Sequence, residues 1–150
     1  MKRSNLPSRF FGEQEKDTIR RAVVEAEAGT SGEIRVHLDR RCPGDPLHAA
    51  RVWFDKLGMR ATRQRNGVLL YLAVRDRRFA LYGDEGIHGA LPEGTWERLR
   101  DHMVAEFSKD RFAEGIAGAV KELGEALQLH FPHAPDDKDE LSDDLSVSDE

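Results

Sequence analysis

The stretch that decides the fold runs from Arg65 to Ile87 and reads RNGVLLYLAVRDRRFALYGDEGI. Its first part, Val68–Val74, is an unbroken apolar run, which is typical of a strand buried on both faces of a sheet. A charged turn follows, and a second apolar run, Phe79–Tyr82, comes so soon that an antiparallel hairpin is the economical connection. This stretch therefore predicts a central strand and its hairpin partner, with helices covering the sheet on both sides.

The residues before this stretch predict a helix, a strand and a second helix. Apolar residues recur at helical spacing over residues 12–28, and a glycine ends that pattern. From Glu33 to Asp39 apolar and polar residues alternate strictly, as in a strand with one apolar face and one polar face. Asp45 can cap a helix that has Pro46 in its first position, and Gly58 ends that helix.

Two further helices follow the hairpin, and together the elements predict the fold class. Apolar stripes at helical spacing begin at Trp96 and at Phe112. The order helix, strand, helix, strand, strand, helix, helix predicts an α/β protein, a three-layer α/β/α sandwich with a small mixed sheet. The first two strands are expected to be parallel because a helix crosses over between them.

Charge is distributed unevenly along the 150 residues. Eight of the 28 acidic residues but one of the 23 basic residues lie in 133–150, so the rest of the chain is nearly neutral. The sequence therefore predicts one domain over residues 1–132 and an acidic, disordered tail over residues 133–150. Leu141 and Leu145, four residues apart, leave open the alternative that one helical turn of the tail docks on a basic groove.

Several classes of protein are disfavoured by composition. A lone cysteine, Cys42, excludes an intramolecular disulfide and a thiolate zinc cluster. The sequence has neither a secretory signal nor an apolar run long enough to cross a bilayer, so we expect a cytoplasmic monomer without a membrane span. The arginines of residues 60–78 lack an accompanying aromatic ladder, so no nucleic acid is expected as a partner, whereas an unknown protein partner is possible.

The topology predicts one candidate cation site. If the first two strands are parallel and the third returns antiparallel, Glu33, Asn66, Asp84 and Glu85 converge on one edge of the sheet. Hard oxygen ligands from several loops suit Ca²⁺ or Mg²⁺, and the glycines beside the acidic pair let backbone carbonyls approach. The alternative is a turn whose acidic side chains are simply solvated.

The opposite edge offers a weaker candidate, because Asp39, Asp45 and Asp76 would lie beyond the carboxyl ends of the parallel strands. Asp45 already has a role as a helix cap. His37 shares a strand face with Asp39, and a carboxylate beside a histidine can orient it as a base. Without an accompanying nucleophile, we interpret this pair as a surface ion pair.

Four segments, in this order and spacing, resemble the TPM domain: Thr30–Val36, Trp53–Met59, Asn66–Leu72 and Gly83–Ile87. The resemblance spans roughly residues 10–131. That family includes a thylakoid-lumen phosphatase of photosystem repair, a membrane-anchored receptor accessory protein and many bacterial proteins. The chain is similar to the short bacterial branch. The family's glycine, aromatic, glycine, leucine, glutamate pattern after the third strand appears here as Gly83-Asp84-Glu85-Gly86-Ile87.

The resemblance implies an α/β/α sandwich, divalent-metal binding in some members and acid phosphatase activity in the plant branch. From the residues, no activated nucleophile is identifiable. We therefore expect a non-catalytic, divalent-metal-responsive binding or accessory module. The alternative is a metal-dependent acid phosphatase that acts through a metal-bound water.

Overall fold

The computed structural model describes residues 3–133 and 144–150 and shows a mixed four-stranded sheet between two layers of helices. The elements are α1 (Pro7–Phe10), α2 (Glu13–Ala28), β1 (Glu33–Asp39), α3 (Pro46–Lys56), β2 (Gly67–Ala73), β3 (Arg78–Gly83), α4 (Thr95–Phe107), α5 (Phe112–His130) and β4 (Ser146–Ser148). A short 3-10 helix, Met59–Ala61, follows α3. The strand order is β3-β2-β1-β4.

The central strand is β2, and all seven of its residues are buried. β1 runs parallel to it with Glu33 opposite Gly67, and β3 returns antiparallel with Gly83 opposite Val68. An apolar strand with no polar face needs cover on both sides, and helices supply that cover. The predicted three-layer α/β/α sandwich with a mixed sheet is confirmed.

The larger core lies on the face covered by α2, α4 and α5. One set of alternating sheet residues enters it, together with inward residues of the helices: Ile34, Val36, Leu38, Val68, Leu70, Leu72, Ile19, Val23, Leu99, Met103, Ile116, Val120, Leu123 and Leu127. Because alternate side chains of a strand point to opposite faces, the residues between them must pack elsewhere.

The second face of the sheet is covered by α3. Ala50 packs near Tyr71 and Ala73, and Phe54 packs against Leu69. Asp45 caps this helix by accepting the Leu47 N–H at 3.1 Å, as the sequence predicts.

The described end of the acidic tail, residues 144–150, differs from the prediction of disorder. Ser146–Ser148 form a fourth strand that pairs in parallel with the last three residues of β1. Side chains fasten the segment on both sides of the strand: Asp149 accepts the Ser8 N–H at 2.9 Å, and Asp144 pairs with Arg20 at 2.7 Å. Disorder is therefore the wrong expectation for these residues, because backbone pairing and ionic contacts offset their low apolar content. The remaining tail residues, including Leu141, lie outside the described part of the chain.

Two loops are packed directly on each other at the start of β2. The Gly86 N–H donates to the Arg65 carbonyl at 2.7 Å. A Cβ added at Gly86 would lie 2.6 Å from that same carbonyl oxygen and closer still to the Gln64 carbonyl. Only glycine permits this approach of two backbones.

We predict that Gly86→Ala lowers the free energy of unfolding by about 2 kcal/mol, because the new methyl group meets rigid backbone atoms. Denaturant unfolding measures the loss. Gly44→Ala is the matched control, since a Cβ there meets nothing within 4 Å. Equal effects of the two substitutions would show that the loop around Arg65 yields to the methyl group.

Candidate functional site

The predicted convergence of residues at one sheet edge is visible in the backbone. Asp84 directly follows β3, and its N–H donates to the Gly67 carbonyl at 3.0 Å. The Glu33 N–H, at the start of β1, donates to the Asn66 carbonyl at 3.4 Å. The ends of three strands therefore bring Glu33, Asn66 and Asp84 to the same edge, which we call the Asp84 edge together with the adjoining Glu85.

The Asp84 carboxylate is completely buried and is held by two arginines. Its Oδ2 accepts from Arg65 Nε at 2.9 Å, and its Oδ1 accepts from Arg65 Nη2 at 3.1 Å. Arg60 Nη1 lies 3.3 Å from the same Oδ1, which also accepts the Glu85 N–H at 2.7 Å. A buried charge requires such compensation.

The two arginines differ in the contacts that they make besides those with Asp84. The hydrogen bond to Asp84 raises the pKa of Arg65, and the Arg65 side chain is 37% exposed. Hydrogen bonds with the Tyr82 hydroxyl and with Asp55 raise the pKa of Arg60, which also lies over the Phe54 ring. The two side chains are similarly exposed, at 37% for Arg65 and 32% for Arg60, but Arg60 has additional partners besides Asp84.

The backbone at Arg65 is unusual for a residue with a side chain, because its φ angle is +52°. This left-handed conformation lies between a 3-10 helix and β2 and places the guanidinium against Asp84. The carbonyl group of the same residue, Arg65, accepts the Gly86 N–H described above. The pairing of Arg65 with Asp84 is not among the sequence predictions, because it depends on this backbone conformation.

The remaining predicted ligands have different degrees of exposure. Glu33 is buried, and so is Asn66, whose side-chain amide donates to the Ser31 hydroxyl at 3.2 Å. The Glu85 side chain is 74% exposed, with its carboxylate 3.7 Å from Arg65 Nη1. Within residues 3–133 and 144–150, no group of three His, Cys, Asp or Glu side chains is arranged to hold a metal ion. Cation binding at this edge stays a prediction.

At the opposite edge, the three aspartates have separate structural roles. Asp39 Oδ2 accepts from the Tyr71 hydroxyl at 2.8 Å and from Trp53 Nε1 at 3.2 Å. Asp76 accepts the Cys42 N–H at 2.7 Å, and Asp45 caps α3. Burial, and then the bond to Asp39, raises the pKa of the Tyr71 hydroxyl, so this group stays a proton donor.

The interpretation of His37 and Asp39 as a surface ion pair is wrong, because His37 is fully buried. Its ring stacks on Trp53 with the ring centroids 3.9 Å apart, and its Nδ1 lies 2.9 Å from the Ser146 hydroxyl of β4. Burial lowers the pKa of His37 to about 4 despite the nearby negative charge of Asp39. The alternating pattern placed His37 on the polar face, but nothing in it indicated that β4 and Trp53 would cover that face.

A family model for the TPM domain matches residues 5–126 of the chain. The chain belongs to the TPM domain family. Comparison with curated proteins finds no match. The family assignment agrees with the mixed sheet and its two helical layers.

Solved structures of small bacterial proteins share this fold. The BA42 protein from the psychrophilic bacterium Bizionia argentinensis is 37% identical, with a TM-score of 0.86 over 93% of this chain and 96% of that chain. The N-terminal domain of a P. gingivalis protein is 20% identical, with a TM-score of 0.65 over 83% and 82% of the two chains. The N-terminal domain of cg2496 from Corynebacterium glutamicum is 14% identical, with a TM-score of 0.62 over 78% and 74%. The last two likenesses concern the fold alone.

Among the described helices of this TPM domain, none combines the length and the apolar character that crossing a membrane requires.

We predict that the burial of His37 makes the TPM domain less stable as the pH is lowered. In the unfolded chain its pKa takes the ordinary value of 6.5, whereas in the folded protein it is about 4. Between these values the unfolded chain binds the extra proton, so stability is complete above this window and falls as pH decreases through it. The His37 contribution between pH 7 and pH 5 is about 2 kcal/mol.

Urea unfolding at pH 7 and pH 5 measures the change in the free energy of unfolding between these two pH values. His37→Gln should reduce that change by about 2 kcal/mol. His48→Gln replaces an exposed histidine of α3 and serves as the control. If the change in unfolding free energy between the two pH values were the same in His37→Gln as in the original protein, His37 would not be its source.

Proposed function

We propose that this TPM domain is a non-catalytic binding module that responds to Ca²⁺ or Mg²⁺ at the Asp84 edge. The observation that carries the proposal is the buried Asp84 carboxylate held by a partly exposed Arg65. A cation approaching from solvent would compete with Arg65 for the same oxygens. Further hard oxygen atoms are near, from Asn66, Glu33 and Glu85, and such ligands suit these two ions.

The response would follow from competition between a metal ion and a side chain. Arg65 leaves Asp84 when the metal binds, and its guanidinium moves into solvent beside Glu85. Because Arg65 lies in the loop packed on Gly86, that exchange alters the surface formed by the two loops. A ligand-dependent change of this kind is a population shift whose extent depends on the difference in affinity between the two states.

The geometry of Asp84 supports a binding role over hydrolysis. Both of its oxygens already accept hydrogen bonds from arginines or from the Glu85 amide. A general base must be free to take a proton from water or substrate. Asp84 in this arrangement is a poor base, and the exposed Glu85 has no positioned nucleophile beside it among the residues described.

We predict that Arg65→Gln strengthens Ca²⁺ or Mg²⁺ binding about tenfold, since a competing positive charge beside the site is removed. Titration followed by amide chemical shifts measures the dissociation constant and locates the site at residues 33, 66, 84 and 85. Arg63→Gln removes an exposed arginine from the same loop and should leave the affinity unchanged.

The result would contradict the proposal if neither protein responded to millimolar metal, or if Arg65→Gln bound no more tightly. Shifts confined to the neighbourhood of Asp39, Asp45 and Asp76 would instead place the cation at the opposite edge.

We predict that the purified protein shows no metal-dependent phosphatase turnover at acidic or neutral pH. The assay uses a generic phosphate monoester with Ca²⁺, with Mg²⁺ and with a chelator. Glu85→Gln is the informative variant, because this side chain is 74% exposed and we expect its replacement to leave the fold intact. Turnover that disappears both with chelator and in Glu85→Gln would overturn the binding module in favour of an acid phosphatase.

A further inference from the structure

The outer edge of β3 presents backbone groups that the sheet does not use. β3 is the outermost strand on its side, and β2 pairs with its inner edge. Successive residues of β3 direct their backbone N–H and C=O groups alternately toward β2 and away from it. Because the Asp84 N–H donates to the Gly67 carbonyl, Ala80 and Tyr82 also direct these groups toward β2. Phe79, Leu81 and Gly83 point theirs outward.

Among the described residues, these outward groups have one hydrogen-bonding partner. His88 Nε2 donates to the Gly83 carbonyl at 2.9 Å. Within the part of the chain that the structure describes, the N–H groups of Phe79 and Leu81 donate no hydrogen bond on this side, and their C=O groups accept none. Backbone donors and acceptors at a sheet edge are a template for another strand.

The other side of the sheet is protected, which makes the β3 edge stand out. The Ile34 N–H of β1 donates to the Glu27 carboxylate at 2.7 Å, and further along β1 pairs with β4. β4 is three residues long and lies at the outside. By contrast, β3 carries the apolar run Phe79–Gly83 without charge, proline or bulge, and its register with β2 is unbroken over six pairs. Such an edge lacks the features that usually prevent pairing.

This edge lies in a groove rather than on an open surface. A cavity of about 550 Å³ follows Phe79–Gly83 between the start of α3 and the first turns of α4. Leu47, which is half exposed, and Trp96 form its apolar sides. The groove therefore offers apolar contacts to side chains as well as hydrogen bonds to a backbone, the two components of strand addition.

The charges at the rim indicate what the occupant carries. Arg100 of α4 is exposed at the groove and forms no ion pair within the part of the chain described here. Asp45, the acidic residue of the lining, is engaged in capping α3. Asp45 keeps its charge at the start of α3, whereas Arg100 on the α4 side is available to pair with an acidic side chain of the occupant.

We propose that the outer edge of β3 binds an extended peptide segment of a partner protein, which adds as a fifth strand. Its backbone pairs with Phe79 and Leu81, alternate apolar side chains pack against Leu47 and Trp96, and an acidic residue pairs with Arg100. The proposal rests on the proposed function in that it names the kind of partner that a binding module takes, but it uses a different surface and no metal.

A single extended segment fits this edge better than a second copy of the domain. The edge is recessed between α3 and α4, and a strand without its own covering helices can enter between them. A second copy would bring helices packed on both faces of its own β3, and these would meet the same two walls.

The test uses the full chain and a short synthetic peptide in which valine and threonine alternate, with an aspartate at each end. Binding is followed by amide shifts and by hydrogen exchange. At a peptide concentration about ten times the dissociation constant, exchange at the Phe79 and Leu81 amides slows about tenfold. The Ala80 and Tyr82 amides, already bonded to β2, change little. A peptide with proline at its centre should bind poorly, because it lacks the central donor.

A charge swap tests the role of Arg100. Arg100→Glu should weaken binding of the aspartate-ended peptide roughly fivefold and favour a peptide ended by lysines. Arg21→Glu makes the same charge change on α2, away from the groove. It should neither weaken binding of the aspartate-ended peptide nor favour the lysine-ended one.

The proposal would be overturned if the peptide shifted protein amide signals away from β3. It would also be overturned if the proline-containing peptide bound as tightly as the valine–threonine peptide. Protection of the Leu81 amide that depends on protein concentration without peptide would overturn it as well, because the occupant would then be a second copy. Both measurements are made with chelator present. Failure here therefore leaves the cation response of the Asp84 edge unaffected, and failure of that response leaves this test intact.

Discussion

The burial of β2 on both faces is the constraint on which the rest of the structure depends. Its side chains alternate between two cores, so neither helical layer can be removed without exposing one of them. Its ends also fix the positions of the polar residues. Asn66 stands immediately before it, and Glu33 and Asp84 are aligned beside its start by the parallel and antiparallel registers.

At that start, a carboxylate is buried where the sheet gives it few neutral partners. Backbone pairing occupies the strand ends, and Glu85 supplies one amide, so the remaining compensation comes from arginines in the loop before β2. Removing a charge from water is costly unless it is paired. The same arrangement therefore stabilises the edge and controls access to its oxygen atoms. The proposed binding role would therefore depend on the same ion pair that stabilises the edge.

Much of the fold could be predicted because its patterns are local. Apolar periodicity located β1, β2, β3 and the longer helices, and hairpin length gave the antiparallel pair. The convergence of Glu33, Asn66 and Asp84 then followed from topology. The missed features depend on distant contacts: β4 has little apolar character, and Asp84 meets Arg65 through a left-handed backbone conformation. Burial of His37 likewise required knowing that β4 and Trp53 would cover it.

The pairing of Asp84 with Arg65 also has a kinetic consequence. A ligand for this carboxylate cannot bind at the rate at which it diffuses to the surface, because the guanidinium must first leave. Association is then limited by how often the ion pair opens, and the observed rate levels off as ligand concentration rises. If the proposed cation binds here, the edge would favour a ligand that stays near the surface longer than the ion pair stays closed.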